Sequence, residues 1–123
     1  MVGHTGNMEA TITALEYLDN IIKDIAQIVL AKNGVMLITA DHGNAEEMFD
    51  MQTGSINKEH STNPVPFLII GKEYEGSKMD PTDVSGSDLS ILSPQGMLAD
   101  VAPTILKIMG LEKPNEMTGR SLL

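Results

Sequence analysis

The sequence predicts an α/β fold of the doubly wound type, in which helices flank a sheet of buried strands. Two short apolar runs, residues 35–38 and Phe67–Ile70, are continuous rather than alternating, which is typical of strands covered on both faces. A long segment with helical spacing leads through a short turn into the first run, and a second helical pattern follows the second run. This alternation of helices and buried strands indicates a sheet with helices packed against it.

The composition limits the classes of function that the chain can have. Its 123 residues carry a net charge of -9, which opposes binding to nucleic acid or to an anionic membrane surface. There is no Cys, so a metal would need His, Asp and Glu as ligands. No apolar stretch approaches the length of a membrane span, and the first residues do not resemble a targeting signal. We therefore expect a cytoplasmic protein whose partners include neither nucleic acid nor membrane.

The first element is predicted to be a long amphipathic helix. A glycine-containing loop that carries His4 comes first, and helical spacing begins at Met8. The pattern ends near Lys32, where Asn33 and Gly34 are typical of a helix stop. The apolar positions of this helix are predicted to pack in the core; they are Met8, Ile12, Leu15, Ile22, Ile25 and Val29.

The first strand ends at an acid, an imidazole and a glycine, which are Asp41, His42 and Gly43. In an open α/β sheet, ligands bind beyond the carboxyl ends of the strands. A carboxylate and an imidazole on one turn are suited to a metal, and Gly43 is expected to let the backbone bend sharply. In the alternative interpretation, Asp41 caps a helix over residues 45–48 and His42 fills a surface turn.

The region between the two strands is predicted to be a polar loop that contains His60 and ends in a proline-stiffened segment. Residues 73–97 have turn signals and few apolar side chains, so we expect a long loop there. Helical spacing returns from Leu98 to Met109, with Asp100 as a candidate cap. Residues 117–122 are expected to add a short edge strand.

All three histidines of the chain lie in predicted loops. Taken separately, His4 and His60 are each typical of solvated loop histidines. Taken with Asp41 and His42, they make a set of four candidate metal ligands. Nitrogen and oxygen donors without sulfur suit Mn²⁺, Zn²⁺ or Fe²⁺ better than Mg²⁺ or Ca²⁺. Four ligands are few for two ions, but a pair of ions about 3.5–4 Å apart would favour displacement at phosphorus.

Five segments of the chain, in a fixed order, carry a resemblance to a known family. They are Met-Val-Gly-His-Thr-Gly-Asn, Ile-Thr-Ala-Asp-His-Gly-Asn-Ala-Glu, His-Ser-Thr-Asn-Pro-Val-Pro, Leu-Ala-Asp-Val-Ala-Pro-Thr-Ile-Leu and Met-Thr-Gly-Arg-Ser-Leu. Together they resemble the C-terminal part of the cofactor-independent (2,3-bisphosphoglycerate-independent) phosphoglycerate mutases. The resemblance runs from Met1 to Leu123 and is weak only across residues 73–96.

The resemblance implies an alkaline-phosphatase-like doubly wound sheet with flanking helices, incomplete in this chain. Residues 1–123 would be the C-terminal part of its metal-binding domain, which holds two Mn²⁺ ions in the intact enzyme. By motif, Asp41 and His42 match ligands of the ion beside the catalytic serine, and His4 and His60 match ligands of the other ion. The family interconverts 3-phosphoglycerate and 2-phosphoglycerate through a phosphoserine intermediate.

The resemblance also indicates which parts of the family's site this chain does not contain. In the family, an aspartate ligand directly precedes the Met-Val-Gly-His motif, and the nucleophilic serine and the basic residues that grip substrate lie far upstream. None of the serines here sits in the family's nucleophile motif, and Ser61 beside His60 is interpreted as loop polarity. No catalytic residue is therefore assigned within the chain, and we expect it to be inactive by itself.

Two other functions stay open at the level of sequence. One is a segment of another alkaline-phosphatase-like phosphomutase or phosphatase, and the other is a non-catalytic metal-binding module. The His-Thr-Gly-Asn and Asn-Pro-Val-Pro sequences favour the mutase over the first of these. Because two buried strands cannot satisfy their edges alone, we also expect the chain to self-associate.

Overall fold

The computed structural model describes residues 2–50, 53–57, 59–76 and 94–123. In these ranges lie two α-helices, α1 (Met8–Ala31) and α2 (Val101–Ile108), and two strands, β1 (Met36–Thr39) and β2 (Phe67–Ile70). The predicted α/β class is confirmed. Most of the predicted loop at residues 73–97 lies outside the described residues, and a 3₁₀ turn, Lys72–Tyr74, overlaps its start.

The chain divides into two compact units, Met1–Ile91 and Leu92–Leu123. The first contains α1 and both strands, and the second contains α2 and the C-terminal tail. Neither helix in the described ranges combines the length and the hydropathy that a membrane span requires.

Helix α1 follows the prediction at both ends. At its start, Asn7 Oδ1 accepts a hydrogen bond from Ala10 N at 3.0 Å and so caps the first turn. At its end, Asn33 adopts a φ of 54°, and Gly34 N donates to Val29 O at 2.9 Å. This is the Schellman arrangement, with an asparagine in the left-handed position that glycine usually occupies. The Asn33-Gly34 turn therefore both ends α1 and directs the chain into β1.

The apolar face of α1 is largely exposed. Among the predicted core positions, Ile12 is 49% exposed, Leu15 51% and Ile25 45%. Within the described part of the chain, Met48 is the one large apolar side chain that is buried, at 2% exposure. The prediction that this face packs in a core of the chain is therefore wrong. Helical spacing shows where an apolar face lies, but it does not show what covers that face.

Strands β1 and β2 pair antiparallel, with Met36 opposite Ile70 and Thr39 opposite Phe67. The two predicted strands are present, but neither is buried on both faces. The first three residues of β1 are half-buried, and Leu68 in β2 is 51% exposed. In the described residues the sheet has only these two strands, so each of them has one unpaired edge.

In the second unit, α2 begins directly after a 3₁₀ turn, Leu98–Asp100. Asp100 occupies the cap position, as predicted, but its carboxylate accepts hydrogen bonds from Met97 N at 2.9 Å and Arg120 N at 2.8 Å. These bonds from Arg120 and Met97 lower the pKa of Asp100 below its ordinary 3.8, although burial acts in the opposite direction. The ionised carboxylate therefore joins the tail to the start of α2.

The C-terminal tail is irregular, so the predicted edge strand at residues 117–122 is wrong. The side chain of Thr104, which is fully buried, donates from Oγ1 to Asp100 O at 2.7 Å and accepts from Leu122 N at 3.0 Å. Backbone amides of the tail are thus bound by side chains at α2 and its start rather than by a neighbouring strand. A strand-like sequence pattern does not distinguish these two ways of satisfying an amide.

We expect Thr104→Val to lower the unfolding free energy of the second unit by about 1–3 kcal/mol, because Val keeps the shape but leaves the Leu122 N–H without its acceptor. Amide hydrogen exchange at Leu122 would report this as a loss of protection of roughly 5- to 150-fold. Thr118→Val, at an exposed position in the same tail, is the control and should change exchange little. Unchanged protection at Leu122 in Thr104→Val would contradict this role of the hydroxyl.

Candidate metal centre

The antiparallel pairing of β1 and β2 brings two loops to the same end of the sheet. The turn with Asp41 and His42 leaves the carboxyl end of β1, and the loop with His60 leads to the amino end of β2. Pairing continues beyond the strands, because Ser61 N donates to Gly43 O at 2.9 Å. Since Gly43 follows His42 and Ser61 follows His60, this bridge holds the two loops that carry these histidines together.

The three imidazoles of the chain lie together at this end of the sheet. The rings of His42 and His60 stack with their centroids 3.5 Å apart and their planes at 11°. The His4 ring is tilted by 45° to that of His60, and their centroids are 5.4 Å apart. Asp41 Oδ1 is 3.7 Å from His42 Nε2. The structure therefore brings together the four residues that the sequence selects as candidate ligands.

A close backbone approach positions His4. The N-terminal residues, predicted to be a loop, form a 3₁₀ turn, Val2–Thr5. Gly3 in this turn is buried against Asn44, so that a Cβ on Gly3 would lie 1.8 Å from Asn44 Oδ1. Asn44 also donates from Nδ2 to Glu59 O at 3.0 Å. Asn44 thus connects the turn that carries His4 with the loop that carries His60.

The surroundings of His42 select one tautomer of its ring. His42 Nδ1 lies 3.0 Å from Gly43 O, and because a carbonyl oxygen only accepts, Nδ1 carries the proton. In the neutral ring the lone pair is then on Nε2, the nitrogen nearest the Asp41 carboxylate. A ring nitrogen bonded to a backbone carbonyl is typical of histidines that bind a metal through the other nitrogen. This environment therefore prepares His42 Nε2 to act as a ligand.

The alternative role of Asp41 as a helix cap is wrong. Residues 45–48 do not form the α-helix of that interpretation, but a 3₁₀ turn, Ala45–Glu47, whose cap position is taken by Asn44. The side chain of Asp41 is 89% exposed beside His42. Its carboxylate is therefore open to solvent at the edge of the imidazole cluster.

The donor set fits a divalent metal, and the ring arrangement limits how ions would bind. Three imidazoles and a carboxylate, without thiolates, are donors that Mn²⁺, Zn²⁺ and Fe²⁺ accept. Because the rings of His42 and His60 lie in nearly parallel stacked planes, they cannot both direct in-plane lone pairs to one ion at about 2.0–2.1 Å. Accordingly, within the described ranges no group of three or more histidine or acidic side chains is placed to hold a single ion. The stacking favours separate ions for the two rings.

A carboxylate that the sequence analysis did not select connects the two loops. Glu46 Oε2 accepts from Asn44 N at 2.8 Å, and Glu46 Oε1 accepts from Ser61 Oγ and, at 3.4 Å, from Asn63 Nδ2. Burial raises the pKa of Glu46, but the hydrogen bonds from Ser61, the backbone and Asn63 together lower it below the ordinary 4.5. The carboxylate is therefore ionised at neutral pH. Ser61, interpreted from the sequence as loop polarity, is one of its donors.

Gly43 has a different role from the predicted one. It is not among the glycines with positive φ, so its place in the turn does not depend on a left-handed backbone. Instead, a Cβ on Gly43 would lie 2.1 Å from Glu46 Oε1 and 2.2 Å from Ser61 Oγ. Glycine is needed here because the Glu46–Ser61 hydrogen bond occupies the space that a side chain would fill.

The chain matches the model of the Metalloenzyme superfamily over residues 1–113. It is similar over all 123 residues to proteins named 2,3-bisphosphoglycerate-independent phosphoglycerate mutase. It is 47% identical to the one from Clostridioides difficile (strain 630) and 53% identical to the one from Cyanothece sp. (strain PCC 7425 / ATCC 29141). The chain spans 22% of the length of each relative, and the match lies in their C-terminal part.

Among solved structures, the chain is similar to a Leishmania mexicana phosphoglycerate mutase crystallised at low cobalt concentration. The TM-score is 0.66 and the sequence identity is 30%, over 98% of this chain and 22% of that one. The resemblance to the C-terminal part of the phosphoglycerate mutases is thus confirmed. The small mixed fold is consistent with an incomplete alkaline-phosphatase-like sheet.

Proposed function

The chain belongs to the Metalloenzyme superfamily, and we propose that it supplies four ligands of a two-metal centre in a phosphoglycerate mutase. The observation that carries this proposal is the convergence of His4, His42 and His60 beside Asp41. The names of its relatives favour a mutase over another phosphomutase, a phosphatase or a non-catalytic module. Because the chain spans 22% of those relatives, the remaining ligands and the nucleophilic serine would belong to the rest of such a protein.

We assign Asp41 and His42 to one ion and His4 and His60 to the other, as the family motif implies. The stacking of His42 on His60 supports this division, because rings in parallel planes favour different ions. The tilt between His4 and His60 also supports it, because in-plane lone pairs can meet where two ring planes cross. We propose Mn²⁺ as the metal in the intact enzyme. The cobalt named for the Leishmania structure supports the use of a divalent metal.

Two divalent ions at this site would polarise phosphoryl oxygens and activate a serine nucleophile for the interconversion of 3-phosphoglycerate and 2-phosphoglycerate. The residues of this chain would hold those ions at a fixed separation. The hydrogen bond from His42 Nδ1 to Gly43 O keeps the Nε2 lone pair available, and the Gly43–Ser61 bridge holds the His60 loop beside it. Without an assigned serine nucleophile, we propose that the chain alone is inactive. A cytoplasmic location stays a prediction from composition.

We also propose that the isolated chain self-associates. Helix α1 exposes Leu15 by 51%, Leu18 by 47% and Ile28 by 60%, and each strand has an unpaired edge in the described residues. Burying apolar surface gains about 25 cal/mol per Å². Repulsion between copies, each with a net charge of -9, opposes this gain. Association should therefore strengthen as salt screens the charges.

Sedimentation velocity of the purified chain should show dimers or larger species, and Leu18→Glu should shift them toward monomer because it places a charge on the apolar face of α1. Gln27→Glu adds the same charge at an exposed polar position and should leave the distribution unchanged. A clean monomer that binds little hydrophobic dye would contradict self-association.

A chimera tests the proposed function directly. In the chimera, this chain takes the place of the matching C-terminal segment of the Clostridioides difficile relative. We expect the chimera to interconvert 3-phosphoglycerate and 2-phosphoglycerate in the presence of Mn²⁺. Loss of a residue that only hydrogen-bonds a metal ligand typically lowers activity by roughly 10- to 100-fold. His42→Ala should lower the rate of the chimera by more than this, because it removes a proposed ligand itself.

The matched control is Glu16→Ala, at an exposed position of α1, which should keep the activity of the chimera. The chain alone should give no turnover under the same conditions. A folded chimera that binds Mn²⁺ but lacks turnover, or turnover by the chain alone, would contradict the proposal.

A further inference from the structure

The side chain of Glu46 binds both loops of the candidate metal centre. One carboxylate oxygen accepts the backbone N–H of Asn44, in the turn that follows His42. The other accepts the hydroxyl of Ser61 and the amide of Asn63, in the loop that follows His60. A single carboxylate is therefore hydrogen-bonded to segments that lie far apart in the sequence.

The Glu46–Ser61 contact lies next to the stacked histidines. Ser61 adjoins His60 in the chain, and its backbone N–H is bound to Gly43 O, adjacent to His42. The two rings are stacked at a centroid distance of 3.5 Å. A shift of Ser61 relative to Gly43 would therefore change the distance between the rings. The hydroxyl of Ser61 is held by Glu46, so the carboxylate opposes such a shift.

The backbone is shaped to admit the Glu46–Ser61 hydrogen bond. Gly43 is buried, and a Cβ there would lie within 2.2 Å of both hydrogen-bonding oxygens. Asn63 Nδ2 also donates to the carboxylate of the neighbouring Glu47 at 3.1 Å, but in the described residues no hydrogen bond joins that carboxylate to Ser61 or Asn44. The two adjacent glutamates thus differ in the residue that they hold, because Glu46 accepts from Ser61, which adjoins His60, whereas the Glu47 carboxylate accepts from Asn63, three residues beyond His60.

We propose that Glu46 is a positioning residue that sets the separation of His42 and His60 by fastening Ser61 to the Asp41–His42 turn. The proposal rests on the proposed function, because it takes these two imidazoles to be ligands of neighbouring ions. Glu46 does not touch an ion in this account. It acts through Ser61 and Asn44, and its loss would let the two loops separate.

The test uses the full 123-residue chain, first without metal and then with Mn²⁺. Ring-proton NMR signals of the three histidines report the stacking, because each aromatic ring shifts the protons of a ring stacked on it. We expect Glu46→Ala to move the signals of His42 and His60 and to weaken Mn²⁺ binding, measured by calorimetry, by about 10- to 100-fold. Glu46→Gln keeps an acceptor oxygen and should recover part of both effects.

Glu47→Ala removes the same charge from the adjacent position but leaves the Glu46–Ser61 bond intact, so it should change the ring signals and the Mn²⁺ affinity far less than Glu46→Ala does. Ser61→Ala breaks the bond from the other side and should reproduce Glu46→Ala, and the circular dichroism of α1 checks that each variant is folded. Unchanged ring signals in folded Glu46→Ala, or an equal change in Glu47→Ala, would overturn the positioning role. Ring signals that move in a chain whose wild type binds no Mn²⁺ would support positioning and contradict metal binding by these four residues alone.

Discussion

The antiparallel pairing of β1 with β2 is the constraint on which the candidate site depends. Four cross-strand pairs, from Met36–Ile70 to Thr39–Phe67, fix the register. This register places the end of β1 beside the start of β2, so the turn after one strand and the loop before the other leave the sheet together. The Gly43–Ser61 bridge continues the pairing to the histidines. Chain direction, more than the packing of a core, brings the imidazoles into contact.

Beyond the strands, polar contacts with little buried apolar surface hold the structure together. Gly3 packs on Asn44, and Glu46 joins Asn44 to Ser61. In the second unit, Asp100 and Thr104 bind backbone amides of the tail. Meanwhile large apolar side chains of α1 are exposed. Local geometry at the site is therefore specified within the chain, whereas the hydrophobic burial that usually stabilises an α/β sheet is not provided by the described residues.

The spacing of apolar residues was sufficient to predict α1 and both strands. The metal-donor atoms of the side chains and the order of the motifs were sufficient to predict the four residues that lie together at the candidate site. These features depend on residues close together in the sequence or on recognisable segments. The antiparallel direction of the strands and the exposure of α1 depend on distant partners, which spacing alone does not identify. The strand predicted at residues 117–122 is absent because side-chain acceptors such as Thr104 bind the backbone amides of this segment in place of a neighbouring strand.

Within the site, the sequence identified donors but not the residues that hold them. The sequence predicts that Gly43 allows a sharp bend of the backbone. In the structure, the absence of a Cβ at Gly43 instead leaves space for the Glu46–Ser61 hydrogen bond. The sequence does contain a signal for this contact, because Glu46 follows the Asp41-His42 pair and Ser61 follows His60. Its meaning depends on the pairing of two loops, which only the fold establishes.

The central claim is that strand pairing places the stacked imidazoles, and nuclear Overhauser spectroscopy of the chain tests it most directly. We expect cross-peaks between the ring protons of His42 and His60 together with backbone cross-peaks between Leu37 and Ile69, which are paired across the strands. Cross-strand peaks without contacts between the two rings, or ring contacts without paired strands, would contradict it.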